Sequence, residues 1–196
     1  EATEDITKMA AMSPSEKSYF ETSVLAHAKH RIAWLLILMF SATITGTIIT
    51  RYENAFAAIP LLVSFIPMLM DTGGNCGSQS STLIIRGIAL GEIQFSDLFR
   101  VMFKEFRVSL IVGVALALAN GIRILIMYKN AGLALVIGLS LVATIVISKL
   151  IGCVLPLIAK KLHMDPAIMA SPLITTLVDT CSILIYFNIA TQVFQL

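Results

Sequence analysis

The sequence predicts an all-α membrane protein with five transmembrane helices per subunit. Of its 196 residues, 57% are hydrophobic and only 13% are charged, whereas soluble domains carry about 25% charged residues. Too few charges remain to cover a soluble surface, and the mean hydropathy is +0.88. The net charge of +2 provides no basic stripe for the phosphates of a nucleic acid. A bundle of membrane-spanning helices is therefore the class that the composition indicates.

Five apolar stretches approach the roughly 20 residues that a helix needs to cross the hydrocarbon layer. They are residues 32–50, 55–86, 107–127, 133–158 and 166–194. The second stretch is interrupted by two prolines and by the Gly73-Gly74 pair. The mixed-charge residues 95–106 are expected to lie along the membrane interface. Each of the five stretches is predicted to form one transmembrane helix.

The polar N-terminal segment is too hydrophilic to cross a membrane. Residues 1–28 are predicted to form a cytoplasmic connecting helix, and residues 29–196 the five-helix pore domain. Ser13 followed by Pro14 is typical of a helix start within the first segment. Because the chain begins at Glu1 rather than at a methionine, we expect it to be part of a longer protein.

The charges that flank the predicted spans indicate the orientation. On the side of the N-terminus lie Lys29, Arg31, Arg86, Arg100, Lys104, Arg107, Lys160 and Lys161. The opposite side carries only Arg51 and Lys129. Positive charges collect on the cytoplasmic side of a membrane, so the N-terminus is predicted to be cytoplasmic and the C-terminus outside. The expected location is the cell membrane.

The fifth span has a polar face. Its members are Ser171, Thr175, Asp179, Ser182 and Tyr186, separated by steps of four, four, three and four residues. At 100° per residue they occupy a sector of about 80° and a stripe roughly 22 Å long. A carboxylate in the membrane persists mainly where it faces protein or water, so the stripe predicts a wetted wall centred on Asp179. The alternative is that the hydroxyls bond to carbonyls of their own helix or hold neighbouring helices together.

The second span repeats this pattern with a second intramembrane carboxylate. One face carries Asp71, Asn75, Ser78 and Thr82. Gly73, Gly74 and Gly77 allow close backbone approach, which also fits a tight helix crossing. Pro67 frees a backbone carbonyl one turn earlier, which would then face water or an ion. Asp71 is either an ion ligand, a cap for the glycine-rich turn, or a partner of Arg123.

The polar inventory of these two spans suits a hard divalent cation. Mg²⁺ prefers oxygen, loses its waters reluctantly and is held by one or two carboxylates. Potassium would require a carbonyl-lined filter loop, and none is evident. Zinc or copper would require histidine or thiolate, yet His27, His30 and His163 lie in the flanks. Composition therefore favours Mg²⁺ or another hard divalent cation as the transported ion.

Two other features are interpreted as packing. The fourth span carries Ser140, Thr144, Ser148 and Gly152 at intervals of four, which is typical of a small-residue helix contact. The three cysteines lie in apolar stretches without metal-ligand spacing, so we expect packing residues rather than disulfides or zinc ligands: Cys76, Cys153 and Cys181.

Specific blocks of sequence resemble a known family. Residues 67–79, Pro-Met-Leu-Met-Asp-Thr-Gly-Gly-Asn-Cys-Gly-Ser-Gln, resemble the second transmembrane helix of the MgtE family of magnesium channels. The Asp-Pro-Ala block at residues 165–167 and the Thr-Leu-Val-Asp block at residues 176–179 resemble its fifth helix. Residues 1–6 look like its connecting plug helix. The blocks follow the family order along the whole chain, although Cys76 and Ser171 stand where other residues are commoner.

The resemblance implies a homodimer whose pore lies on the two-fold axis between the second and fifth helices of both chains. It places the selectivity carboxylate at Asp179, with two copies around one hydrated Mg²⁺. It also implies cytoplasmic amino-terminal and CBS domains that close the pore through the plug helix, so gating should be impaired or absent without them. The expected metal ligands are Asp179, Asp71, Asn75, Thr175 and Ser171. The expected pore-lining residues are Pro67, Gly73, Gly74, Ser78, Thr82, Thr176 and Ser182.

Three other functions compete with a channel. An ion-coupled secondary transporter of divalent cations would show flux that follows a proton or sodium gradient. Two intramembrane aspartates also describe an aspartyl protease, but such enzymes carry a Gly-x-Gly-Asp block, whereas Leu177 and Val178 precede Asp179 here. We therefore expect no enzyme. A purely structural membrane subunit would leave both polar stripes unexplained.

Overall fold

The computed structural model describes residues 8–9, 19–169 and 171–195. Its α-helices are α1 (Val24–Arg51), α2 (Glu53–Ala58), α3 (Ile66–Ala89), α4 (Leu98–Tyr128), α5 (Ala131–Lys161) and α6 (Ser171–Phe194). Short 3-10 helices precede α3, α4 and α6, at Pro60–Phe65, Phe95–Asp97 and Pro166–Met169. The predicted helix start at Ser13 and Pro14 lies outside the described residues.

Local sequence explains where several helices begin. The Ser23 hydroxyl accepts a hydrogen bond from the Ala26 amide at 3.3 Å and caps α1. This start places residues 24–28 in the first long helix rather than in the connecting segment. The Asn130 side chain caps α5 in the same way, accepting from the Leu133 amide at 2.9 Å. Lys129, with a φ of 51°, lets α4 and α5 form a tight antiparallel hairpin.

The predicted break in the second span is placed differently from the sequence expectation. The prolines do interrupt the helix of the second stretch, because Pro60 begins a 3-10 helix and Pro67 occupies the first turn of α3. The Gly73-Gly74 pair, however, lies inside a continuous α-helix. Asp71 is therefore a residue of the helix interior, and a role in capping a glycine-rich turn is excluded.

Residues 95–106 belong to the same helical segment as the third predicted span. A short 3-10 helix at Phe95–Asp97 leads directly into α4, which runs without a break from Leu98 to Tyr128. Glu105 is only 8% exposed and packs among the other helices. The charges that suggested an interface therefore lie within the first part of a membrane-length helix.

Four of the described helical segments are long and apolar enough to cross a membrane: Val24–Arg51, Phe95–Tyr128, Ala131–Lys161 and Pro172–Phe194. These segments define an integral membrane protein. The helix α3 has 24 residues, but its glycines and polar side chains make it less apolar than the other four.

The helix α5 forms the centre of the bundle. It packs against α3, α4 and α6, while α3 also packs along α6 and α1 contacts α6. The main apolar core joins these helices near the start of α3 and the end of α6. There the buried Tyr186 hydroxyl donates a hydrogen bond to the Leu62 carbonyl at 2.8 Å. The packing thus leaves one side of α3 uncovered.

Candidate functional site

A groove of about 440 Å³ lies between α3 and α6 and combines an apolar wall with four polar side chains. Its lining residues are Ile66, Pro67, Met70, Asp71, Gly74, Asn75, Thr175 and Asp179. Six of these eight residues were predicted from sequence to hold or line the path of a cation, all except Ile66 and Met70. Asp71 comes from α3 and Asp179 from α6, so the fold brings the two aspartates to one cavity.

The polar face of α3 extends beyond the residues that line the groove. Asp71, Asn75 and Thr82 are exposed, and Ser78 is half-buried. The Thr82 hydroxyl donates to the Ser78 carbonyl at 2.9 Å. This hydrogen bond within one helix satisfies the hydroxyl proton but leaves its oxygen able to accept from a passing water. The predicted polar face of α3 is therefore a surface about 16 Å long on this chain.

On α6 the polar stripe divides into two parts. Thr175 and Asp179 line the groove, whereas Ser182 and Tyr186 are 1% and 0% exposed. The Ser182 hydroxyl donates to the Val178 carbonyl at 2.7 Å, as the alternative interpretation of such hydroxyls expects. Water on this face is therefore limited to the half that begins near the start of α6.

Two threonines near the start of α6 point back to one carbonyl. Thr175 and Thr176 donate to the Pro172 carbonyl at 3.0 and 2.9 Å. Pro172 itself has no amide hydrogen to donate, which is tolerated in the first turn of a helix. The side chain of Ser171 lies outside the described residues, although its backbone begins α6.

The glycines of α3 let the two groove-forming helices approach each other. A Cβ atom on Gly74 would lie 2.9 Å from the Thr175 side chain. Gly73 faces away from the groove, where an added Cβ would meet Thr144 and Val178 at 2.8 Å. Gly74 therefore shapes the groove directly, whereas Gly73 and the buried Ser182 act in the helix contact behind it.

The fourth span behaves as the sequence predicted. Ser140, Thr144 and Ser148 are at most 1% exposed, and the Ser148 hydroxyl donates to the Gly73 carbonyl. A Cβ on Gly152 would collide with the Gly77 backbone. The small-residue face of α5 is thus confirmed as a packing surface.

Neither aspartate has a hydrogen-bond or ion-pair partner among the residues that the structure describes. Arg123, a partner considered for Asp71, instead donates to the Asn120 side chain at 2.9 Å and lies 5.8 Å from the centre of the Phe65 ring. Two carboxylates on one groove repel each other and attract a cation. The described residues contain no group of three or more histidine, cysteine or acidic side chains that could hold a metal.

Sequence reasoning missed a second polar centre behind α3. The Ser80 hydroxyl donates to Glu105 Oε2 at 2.6 Å, and Lys149 Nζ donates to the Ser80 oxygen at 3.2 Å. Lys149 Nζ lies 3.7 Å from Glu105 Oε2. Lys149 is the only charge inside the predicted fourth span, and a membrane lysine implies a buried partner. That signal was available, but Glu105 had been assigned to the membrane interface.

At the predicted cytoplasmic end, Lys8 contacts the loop between α5 and α6. Lys8 Nζ lies 2.6 Å from Asp165 Oδ2. The hydrogen bond from Lys8 is the main reason that the pKa of Asp165 is lowered. Both side chains line a surface cavity of about 670 Å³ that also contains Lys160 and His163. Lys8 therefore contacts the loop that leads into α6.

Apolar helices of membrane length surround a groove that carries two carboxylates. This arrangement defines a helical membrane protein whose groove presents carboxylate, amide and hydroxyl oxygens of the kind that bind cations. A family model for MgtE, described as a divalent cation transporter, matches residues 66–189. The chain belongs to the MgtE family.

Curated relatives support the same family over nearly the whole chain. The magnesium transporter MgtE of Bacillus subtilis is 39% identical over 191 residues, covering 97% of this chain and 42% of that protein. The magnesium transporters MgtE of Thermus thermophilus and Enterococcus faecalis are 36% and 33% identical, over 97% and 98% of this chain. The chain spans 42% of the length of each of these relatives.

Proposed function

We propose that this chain forms the pore of a magnesium channel and that hydrated Mg²⁺ passes along the groove between α3 and α6. The observation that carries the proposal is the meeting of Asp71 and Asp179 on one groove, with no cationic partner among the described residues. Mg²⁺ keeps several of its waters and binds one or two carboxylates. The names of the relatives as magnesium transporters favour Mg²⁺ among the hard divalent cations.

Each groove residue has a proposed role. Asp179 is the selectivity carboxylate, and Asp71 adds negative charge that concentrates cations. The oxygens of Asn75, Thr175 and Ser171 accept hydrogen bonds from the water shell of the ion. Pro67 and Gly74 form the wall, and Ser78, Thr82 and Thr176 continue the polar surface. Gly73 and Ser182 act from behind by setting the distance between helices.

The proposed channel crosses the cell membrane with five helices. In addition to the four apolar segments, α3 is proposed to cross. Its 24 residues correspond to about 36 Å of helix, enough to cross about 30 Å of hydrocarbon. Its polar face would be costly against lipid, so it requires another surface to cover it. The flanking lysines and arginines favour an N-terminus in the cytoplasm and a C-terminus outside.

A second copy of the chain is the proposed cover for that face. In a homodimer the grooves face each other across the two-fold axis, and two Asp179 carboxylates surround one hydrated ion. This arrangement shields the polar face of α3 from lipid and doubles the negative charge along the path. Isologous pairing of this kind is the commonest assembly among soluble oligomers.

Control of the pore is assigned to cytoplasmic regulatory domains of the CBS type, acting through a plug helix within residues 1–28. The contact between Lys8 and Asp165 supports this assignment, because it links the segment before α1 to the loop that leads into α6. Movement of that segment would then be transmitted to the start of the helix that carries Thr175 and Asp179.

The test is Mg²⁺ flux into liposomes, or rescue of Mg²⁺-starved cells, for the wild type and Asp179→Ala. We expect the variant to lose Mg²⁺ selectivity or conduction while its dimer remains folded. Glu53→Ala removes an exposed carboxylate at the outer end and is the matched control, with flux near that of the wild type. Wild-type flux in Asp179→Ala would reject the pore assignment. A saturating flux that follows a proton or sodium gradient would instead identify a coupled transporter.

A further inference from the structure

Three polar side chains from three helices meet behind α3 and form what we call the buried triad: Ser80 of α3, Glu105 of α4 and Lys149 of α5. Their exposed fractions are 0%, 8% and 5%. The Ser80 hydroxyl donates to Glu105 at 2.6 Å and accepts from Lys149 at 3.2 Å. One hydroxyl therefore uses its donor and an acceptor position on two opposite charges.

The position of Ser80 on α3 relates the triad to the groove. Nine residues separate Asp71 from Ser80, which is about two and a half helical turns. The two side chains therefore point in opposite directions, Asp71 into the groove and Ser80 into the bundle. A rotation of α3 by one residue, about 100°, would remove Ser80 from both charged partners and turn the polar face toward its neighbours.

The apolar surroundings of the triad leave few alternative hydrogen-bond partners for its three side chains. One turn from each member lies a residue of a buried apolar cluster, respectively Ile84, Val101 and Cys153. Charges among apolar side chains are stable only when their hydrogen bonds are satisfied. A displaced Ser80 would leave Glu105 without its closest described donor, since Lys149 is 3.7 Å away. The cost of moving α3 is thus concentrated at this one contact.

We propose that Ser80, Glu105 and Lys149 are positioning residues that fix the rotation of α3 about its axis and so hold its polar face toward the ion path. This proposal rests on the proposed channel function. None of the three lines the groove, so the triad acts on ion selection through the orientation of Asp71 and Asn75.

The sharpest test is Ser80→Ala, which removes the link from α3 while leaving the charge pair in place. Ser109→Ala is the matched control, because Ser109 is equally buried but its hydroxyl donates to Phe106 of its own helix. Both proteins are reconstituted in liposomes, and the ratio of Mg²⁺ to K⁺ flux is measured beside the thermal unfolding midpoint. We expect this ratio to fall on the order of tenfold for Ser80→Ala, because a hydrogen bond to a charged group favours the bonded arrangement by about that factor. We expect no change for Ser109→Ala.

A flux ratio in Ser80→Ala equal to that of Ser109→Ala would overturn the proposal, whatever the unfolding midpoints. If Asp179→Ala still abolishes selectivity in that case, the channel assignment stands and only the positioning role fails. The exchanged pair Glu105→Lys with Lys149→Glu provides a second test, because Ser80 can donate and accept in either direction. Recovery of the flux ratio over Lys149→Glu alone supports the proposal, and absence of recovery overturns it.

Discussion

The charged groups on the two sides of α3 differ in whether they have a partner of opposite charge. On the groove side, Asp71 shares a cavity with Asp179, and neither has a partner among the described residues. On the bundle side, Glu105 and Lys149 are buried, close to each other, and both bonded to Ser80. The same helix therefore separates two carboxylates without a described partner from a neutral, fully connected network.

In the proposed channel, this difference separates charges that act on an ion from charges that hold helices together. A carboxylate can recruit a cation only if the protein does not already supply one, so the groove aspartates must remain without a basic neighbour. A charge inside the bundle meets the opposite requirement, because burial without a partner is costly. The comparison predicts that groove-side substitutions change flux with little loss of stability, whereas removal of a buried charge on the bundle side lowers stability.

The largest effect on stability is expected for Lys149→Met. Removal of one partner leaves Glu105 buried without its counter-charge, which costs about 3–5 kcal/mol. The measurement is reversible unfolding in detergent micelles. Adding Glu105→Gln to this variant removes the uncompensated charge, and we expect most of the lost stability to return. A double variant as unstable as Lys149→Met would show that packing, rather than charge, holds this part of the bundle.

A smaller loss of stability is expected for Gly152→Ala. Its new methyl group would meet the Gly77 backbone, which cannot move away as a flexible side chain can, and overpacking of this kind costs about 1–3 kcal/mol. Gly121→Ala is the matched control, because no atom lies within 4 Å of its added Cβ. Alanine is a better helix former than glycine, so the control should unfold at the same temperature as the wild type or higher. Equal losses in both variants would contradict a close contact between α3 and α5.

The two carboxylates of the groove are compared with each other in the variants Asp71→Asn and Asp179→Asn. Each change removes one charge and keeps the side-chain shape, so thermal stability should change little. Asp71 is the more exposed carboxylate, and solvent screens its interaction with an ion more strongly. We expect Mg²⁺ flux to fall by about tenfold in Asp71→Asn, from a loss of about 1.4 kcal/mol, and further in Asp179→Asn. The reverse order of the two variants would assign selectivity to Asp71.

Most of the helices could be predicted from the sequence, because membrane length and apolar composition leave few alternatives. The boundaries were harder where charges occur inside a helix. Glu105 belongs to a mixed-charge stretch that resembles an interfacial segment, and only the contact with Lys149 shows why it is tolerated in the bundle. Local sequence cannot contain that information, since the partner lies 44 residues further along the chain.

Only part of the candidate site could be predicted, because exposure also depends on contacts that are distant in sequence. The 3.6-residue period places Asp71 and Asn75 on one face, and the structure keeps both exposed. The period also places Ser182 and Tyr186 with Asp179, but these two are buried by neighbouring helices. A helical face defines which residues point the same way, whereas the neighbours decide how much of that face meets water.

The smallest effect is expected at a third kind of charge pair, the surface contact between Lys8 and Asp165. Its side chains are 26% and 31% exposed, so the pair should contribute less than about 1 kcal/mol. The bond from Lys8 lowers the pKa of Asp165. A carboxyl whose pKa is lower in the folded state contributes stability above its unfolded value, about 3.9, and loses it as the pH falls through the folded value.

Asp165→Asn tests this sign. The asparagine oxygen can still accept from the Ala167 amide, as Asp165 does at 2.9 Å, so the change isolates the charge. We expect the wild type to unfold at a slightly higher temperature than the variant at pH 7, and the difference to shrink as the pH falls below about 3.9 and through the folded value. A gap that stayed constant across this range would show that the contact depends on geometry and not on charge. The pair would then resemble the helix contacts of α3 and α5 more than the paired charges of the bundle.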